Sequence, residues 1–267
     1  MLIPVRILYI GEVVGSSGVY CVKKLLPDIQ KTRGIDFTIA GGDGATGGYG
    51  TGKKHAAYLH KLGIDVLAGG ECIYYKRDMV SYIAQASHVL RPANYPPKTP
   101  GRGFYTFTAA GLDVGVVVLL GQAGFDRVHL RNPFSYLPEI VEKLKSRTNR
   151  IILDFHANTT AEKNAMFYHA DGMVSAVIGS QAKTLTSDGR IMPRGTAVIT
   201  DAGRTGSSSS VGGLEPNIEI SKLITGIPER SKGSWTRLEL QGVICDISDD
   251  GRASAIETIR IPAEAEQ

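Results

Sequence analysis

Glu12, Asp43, Glu71 and His156 each stand at the exit of a short apolar run bounded by glycine or alanine. The local sequences are Gly11-Glu12-Val13-Val14-Gly15, Gly41-Gly42-Asp43-Gly44, Gly69-Gly70-Glu71 and Asp154-Phe155-His156-Ala157. Oxygen and imidazole donors of this kind suit magnesium, manganese or iron. In open α/β sheets ligands gather beyond the carboxyl ends of strands, so residues on four such exits can meet in space. One acidic residue at a turn is accounted for by helix capping; four on four exits argue for a site.

A second pattern, Gly47-Gly48-Tyr49-Gly50-Thr51-Gly52-Lys53, satisfies GxxxxGK, follows an apolar run and opens a helix. The next residue is Lys54, where a phosphate loop needs a hydroxyl to reach magnesium, and Gly47 stands several residues past the strand end. A glycine-rich crossover loop is the better account. His55, His60, His88, His129 and His169 have no metal-ligand spacing with one another. Tyr74 and Tyr75 follow Glu71 and could line a substrate mouth.

The elements that must position these residues alternate. Short strands are predicted at Arg6–Ile10, Phe37–Ala40 and Asp65–Ala68, with helices from about Tyr20 to Gln30, through His55 to Leu62, and over Arg77–Gln85. This rhythm argues for βαβ units around a buried parallel sheet. Gly103–Ala109 and Val114–Leu120 flank Ala110-Gly111-Leu112-Asp113 and read as a hairpin. Helix Tyr136–Lys145, strand Arg150–Phe155, helix Thr160–His169 and strand Val174–Ile178 follow. A further hairpin ends near Thr200, and Ser207–Ser210 reads as a polar loop. The tail offers strands Trp235–Leu240, Val243–Ile247 and Ala253–Ile261, joined at Gly242 and at Asp249-Asp250-Gly251. The expectation is one domain over residues 1–267, a layered α/β sandwich of mixed sheets with helices outside.

The 42% of hydrophobic residues is enough for a packed core. No run reaches the 18 or so apolar residues of a membrane helix, and the first residues lack a signal-peptide layout. Cys21, Cys72 and Cys245 are odd in number and widely spaced, so no disulfide framework is expected, and a cytoplasmic setting is. A net charge of +4 is mild and spread along the chain, without the concentrated basic patch that nucleic-acid binding would require.

Several segments together resemble the YmdB-like metallophosphoesterases of the calcineurin superfamily, which are bacterial cyclic-nucleotide phosphodiesterases. They are the strand exits above, Gly179-Ser180-Gln181-Ala182-Lys183, Arg91-Pro92-Ala93-Asn94-Tyr95-Pro96, Pro193-Arg194-Gly195-Thr196-Ala197 and Ile199-Thr200-Asp201-Ala202-Gly203. The resemblance implies a four-layer α/β sandwich and a two-metal site. It also shows where that site has changed. The family's GDVVG aspartate is Glu12, and its GENAA glutamate and asparagine are Asp43 and Gly44. Its GNH asparagine and catalytic histidine are Gly70 and Glu71, its DFHA histidine is His156, and its two GTHTH histidines are Gln181 and Lys183. Glycine offers no donor, and Lys183 would put an ammonium where an imidazole met a dication.

The leading expectation is therefore a catalytically degenerate relative with no catalytic residue and no metal, kept for binding, scaffolding or self-assembly. Lys183 is then expected to pair with Glu12 or Asp43 in place of metal charge. The alternative is an active phosphodiesterase with a rebuilt site, using Mn, Fe or Mg on Glu12, Asp43 and His156, with Glu71 as a ligand or base. In that version Lys183 or Arg204 contacts the phosphate, although a surface arginine is the better account of Arg204. A homo-oligomer or protein partner and residual nucleotide binding are expected, with no membrane association.

Overall fold

The computed structural model describes residues 4–109, 111–125 and 130–263. His129 lies outside the described residues. In chain order the first half contains β1 (Val5–Ile10), β2 (Glu12–Val13), α1 (Gly15–Arg33), β3 (Phe37–Gly41), α2 (Lys53–Lys61), β4 (Val66–Ala68), α3 (Arg77–Ile83), β5 (Val89–Leu90), β6 (Phe104–Ala109) and β7 (Leu112–Leu120). The second half contains α4 (Pro133–Lys145), β8 (Ile151–His156), α5 (Thr160–Ala170), β9 (Ala176–Ser180), β10 (Arg190–Ile191), β11 (Ala197–Ile199), β12 (Arg204–Ser207), α6 (Pro216–Thr225), β13 (Leu238–Ile247) and β14 (Ala253–Pro262).

Alternation along the strands builds the layers, because successive side chains of a strand point to opposite faces. In β1, Ile7 and Tyr9 face a core shared with Val116, Val118, Ile152 and Ile178 of the second sheet. Leu8 and Ile10 face the opposite way, onto Val22 and Leu26 of α1 and Leu59 of α2. In the second sheet Val117, Leu153 and Phe155 turn outward onto Leu137 and Ile140 of α4 and Met166 and Phe167 of α5. The result is helices, sheet, sheet, helices: the four layers that the resemblance implies. One sheet runs β2-β12-β13-β1-β3-β4-β5 with β14 paired to β13, and the other runs β10-β11-β9-β8-β7-β6. β1, β3, β4 and β5 are mutually parallel, as are β7, β8, β9 and β11, while β13 runs antiparallel to β1. No helix among the described residues is long and apolar enough to cross a membrane.

Three expectations change. Helix α1 begins at Gly15, not near Tyr20; Gly15-Ser16-Ser17-Gly18 reads as a turn but forms the first turn of the helix. Gly18 there lies against the Thr205 carbonyl of β12, too close for a side chain. Gly242 does not end a strand. β13 runs straight through it, because a Cβ would sit 2.5 Å from the Tyr9 carbonyl oxygen, so glycine serves close strand packing. Helix α6 and the short strands β2 and β12 were not foreseen.

Candidate active site

Every strand exit singled out above opens on the same side. Glu12 lies on β2, Asp43 follows β3, Glu71 follows β4, His156 ends β8, and Gln181 and Lys183 follow β9. Ligand atoms of Asp43, Glu71 and His156 lie within 4.8 Å of one another. Asp43 is held from below, its Oδ1 accepting from the Gly70 N–H at 2.7 Å and its Oδ2 from the Cys72 N–H at 2.8 Å. Burial and the nearby Glu71 charge push its carboxyl well above the usual range. Glu71 is the more open member, with its Oε2 2.5 Å from His156 Nε2 and its Oε1 accepting from Gln181 Nε2 at 3.1 Å. Burial alone would raise Glu71, but the bond to His156 and its charge outweigh that and hold the carboxyl low. The same contact raises His156 against the opposing effect of its burial, with Asp43 and Asp154 adding to it.

A buried chain of hydrogen bonds fixes the His156 ring. Tyr9 donates its hydroxyl to Asp154 Oδ2 at 2.6 Å, and Ser180 donates to Asp154 Oδ1 at 2.6 Å. Ser180 has one proton, and Asp154 takes it. At 2.9 Å its oxygen therefore accepts from His156 Nδ1–H. That choice leaves Nε2 facing Asp43 and Glu71, where it can bind either a proton or a metal. An outer hydrogen bond that sets the tautomer in this way is characteristic of metal-binding histidines. Tyr9 and Ser180 were not singled out in advance, although Ser180 stands, like Asp154, within one of the motif segments.

Glu12 takes a different course from the expected ligand role. It is 4% exposed, and Lys183 Nζ lies 3.0 Å from its Oε1. The longer side chain reaches into space that Gly44 leaves open, since a Cβ at Gly44 would lie 2.5 Å from that oxygen. Gly70 plays the matching part for His156: a Cβ there would lie 2.5 Å from Nε2 and 2.8 Å from Asp43 Oδ2. Of the residues named for a persisting metal site, Asp43 and His156 cluster with Glu71, while Glu12 is committed to the ammonium. Burial raises the Glu12 carboxyl despite Lys183, while the Lys183 ammonium is held charged by Glu12, Asp43 and Glu71 against its own burial.

The loop that carries Lys183 is strained. Gln181 and Lys183 adopt positive φ of 96° and 56°, a region that side chains disfavour. Asp201, just past β11, holds this shape. It is fully buried and accepts from the Ala182 N–H at 2.8 Å, the Thr184 N–H at 3.2 Å, the Gly203 N–H at 3.0 Å and Lys163 Nζ at 3.1 Å. Arg204 is no anion contact here: its guanidinium donates to the carbonyls of Lys183, Ser207 and Ser208. At the glycine-rich loop Asp78 accepts from the Lys53 N–H at 3.1 Å and fills the helix start that a phosphate loop would keep open. Tyr74 donates to the Pro100 carbonyl, and Tyr95 is the tyrosine whose hydroxyl approaches the Glu71 backbone, at 3.5 Å.

Three carboxylate and imidazole donors match the protein ligand count of a catalytic metal site, and their chemistry fits manganese or iron. Known proteins resemble the chain over nearly its whole length. A 2′,3′-cyclic-nucleotide 2′-phosphodiesterase of Bacillus subtilis is 36% identical over 256 residues, 96% of each chain. A solved structure described as a novel phosphatase from Mycoplasma pneumoniae superposes with a TM-score of 0.91 at 27% identity, covering 98% of this chain and 95% of that one. A hypothetical protein from Thermus thermophilus gives 0.90 at 29% identity, covering 97% and 100%. The model of the YmdB-like protein family matches residues 8–259, so the chain belongs to the YmdB-like family.

Proposed function

We propose that the protein is a metal-dependent phosphodiesterase acting on cyclic nucleotides through a rebuilt site, with one divalent cation on Asp43, Glu71 and His156. The observation that carries this reading is the fixed His156 ring, whose Nδ1–H is spent on Ser180 so that Nε2 faces two carboxylates. A manganese or iron ion there would supply Lewis-acid activation for displacement at phosphorus. The chain's own residues do the rest. Lys183, held in place by Glu12 and still 19% exposed, offers a fixed positive charge to a phosphate oxygen at the mouth. In this reading the ammonium supplies the charge that a second metal gives in a two-metal site. Gln181 bridges Glu71 and Asn158 and orders the rim.

One observation favours a second reading, a silent site retained for binding or scaffolding. The pairs Lys183–Glu12 and His156–Glu71 already neutralise the carboxylates without any metal. Metal content of protein purified without chelator, read beside hydrolysis of 2′,3′-cyclic nucleotides, separates the two. The proposal expects one metal per chain, lost in His156→Ala and Asp43→Asn, and turnover that follows the metal. Metal-free protein that takes up neither manganese nor iron and hydrolyses nothing would leave the silent reading standing.

A further inference from the structure

Helix α6 is amphipathic in the wrong direction. Its inner side is polar: Glu219 pairs with Lys222 at 2.8 Å, and Lys222 Nζ donates to Ser231 at 2.7 Å. Its apolar residues Ile220, Leu223 and Ile224 are 47%, 84% and 79% exposed, Ile227 just beyond its end is 66% exposed, and no residue of the helix is buried. Positions 220, 223 and 224 follow the i, i+3, i+4 spacing of one helical stripe, the spacing that in a lone globular chain faces the core, and Ile227 just past the helix end adds to the apolar surface. The helix is otherwise well defined, with Pro216 at its first turn and Gly226 closing it in the left-handed conformation. A contiguous outward stripe on a defined helix marks an interaction surface.

We infer that this stripe is the centre of a two-fold interface between copies of the chain. Two features favour a second copy. Charge around the stripe is balanced, with Glu215 and Glu229 against Arg230 and Lys232. Such a surface can complement itself, whereas a helix lying on an anionic membrane carries a polar face rich in lysine and arginine. A two-fold contact also lets Leu223 and Ile224, near the middle of the stripe, pack on their own counterparts. The area is consistent with this. Four mostly exposed aliphatic side chains bring roughly 100 Å² each, so two copies bury about 800 Å² from the stripe alone. That is the apolar centre of a standard interface of about 1,200–2,000 Å², and the charged residues around it form the rim.

The surface also borders the candidate site. Lys222 and Arg230 line a cleft with Thr46 and Tyr49, and the Tyr49 ring is 5.9 Å from Lys183 Nζ. Pairing through α6 therefore places a second copy at the rim of that cleft.

Sedimentation velocity over a wide concentration range tests the inference on the full chain, with Leu223→Glu/Ile224→Glu as the variant. Both side chains are exposed, so the variant keeps the wild-type circular-dichroism spectrum and any fall in melting temperature is the part that association contributes. The expected result is a dimer for the wild type and association weakened at least a hundredfold in the variant. A wild type that stays monomeric, or a variant that associates as the wild type does, overturns it. So does a wild type that is monomeric in solution but floats with anionic phospholipid vesicles.

Discussion

Replacing Lys183 with methionine keeps the aliphatic stem and removes the only cation paired to Glu12 among the described residues. Glu12 is 4% exposed, so its charge cannot turn to water for compensation. Leaving one member of a buried ion pair uncompensated costs about 3–5 kcal/mol. The protein has a cheaper escape, which is to protonate Glu12. From a reference pKa of about 4.3, that costs at most about 1.36 × (7 − 4.3) ≈ 3.7 kcal/mol at pH 7 and about 1 kcal/mol at pH 5. The sign follows from linkage. A carboxyl raised in the folded state releases its proton more readily when unfolded, so stability falls as pH rises above the unfolded value. Lys183→Met is therefore expected to lose about 3 kcal/mol at pH 7, roughly 6–12 °C in melting temperature, and little at pH 5. Urea denaturation at pH 5, 6 and 7 with chelator present measures this, and the double variant Glu12→Gln/Lys183→Met should recover most of the loss. A loss below about 1 kcal/mol that is flat with pH, or a double variant no better than the single, would refute the pairing as the feature that keeps Glu12 ionised.

Two further outcomes are expected. Asp201→Asn leaves Lys163, 1% exposed, without its counter-ion and slackens the loop around Gln181 and Lys183. It should cost about 3–5 kcal/mol and accelerate amide exchange at Ala182 and Thr184, whereas unchanged exchange there would show that Asp201 does not hold the loop. Gly242→Ala drives a methyl group into the Tyr9 backbone carbonyl, with an expected cost of about 1–3 kcal/mol in urea denaturation. Wild-type stability would mean that β1 and β13 separate more easily than their register implies.

The strand exits were legible because a glycine beside a carboxylate after an apolar run is a local pattern, and parallel strands bring such exits to one edge. The pairing of Lys183 with Glu12 was legible through the resemblance, since matching motif positions converge in any chain of that fold. The contact between Glu71 and His156 was not. Which carboxylate meets His156 depends on side-chain reach and on the room left by Gly44 and Gly70, and neither is a property of spacing. The Tyr9–Asp154–Ser180 chain joins both sheets across 145 residues of sequence separation, so no local signal announces it. Gly242 reads as a break because glycine's usual meaning is a turn, whereas here the partner strand's carbonyl demands its small size. Helix α6 escaped notice because its apolar positions belong to no core of this chain.

The expectation of a silent enzyme rested on counting missing donors one by one. The site's residues are better understood in pairs: the longer Glu12 with the emptied position 44, and His156 bonded to Glu71 with the emptied position 70. That pairing bears on what one substitution at either glycine does. A side chain at position 44 only makes the flexible end of Glu12 turn aside, whereas one at position 70 needs the His156 ring and the Asp43 carboxylate to give way. The two glycines are therefore unequal: position 44 can be refilled by one change of rotamer, while refilling position 70 disturbs the Asp43–Glu71–His156 cluster itself.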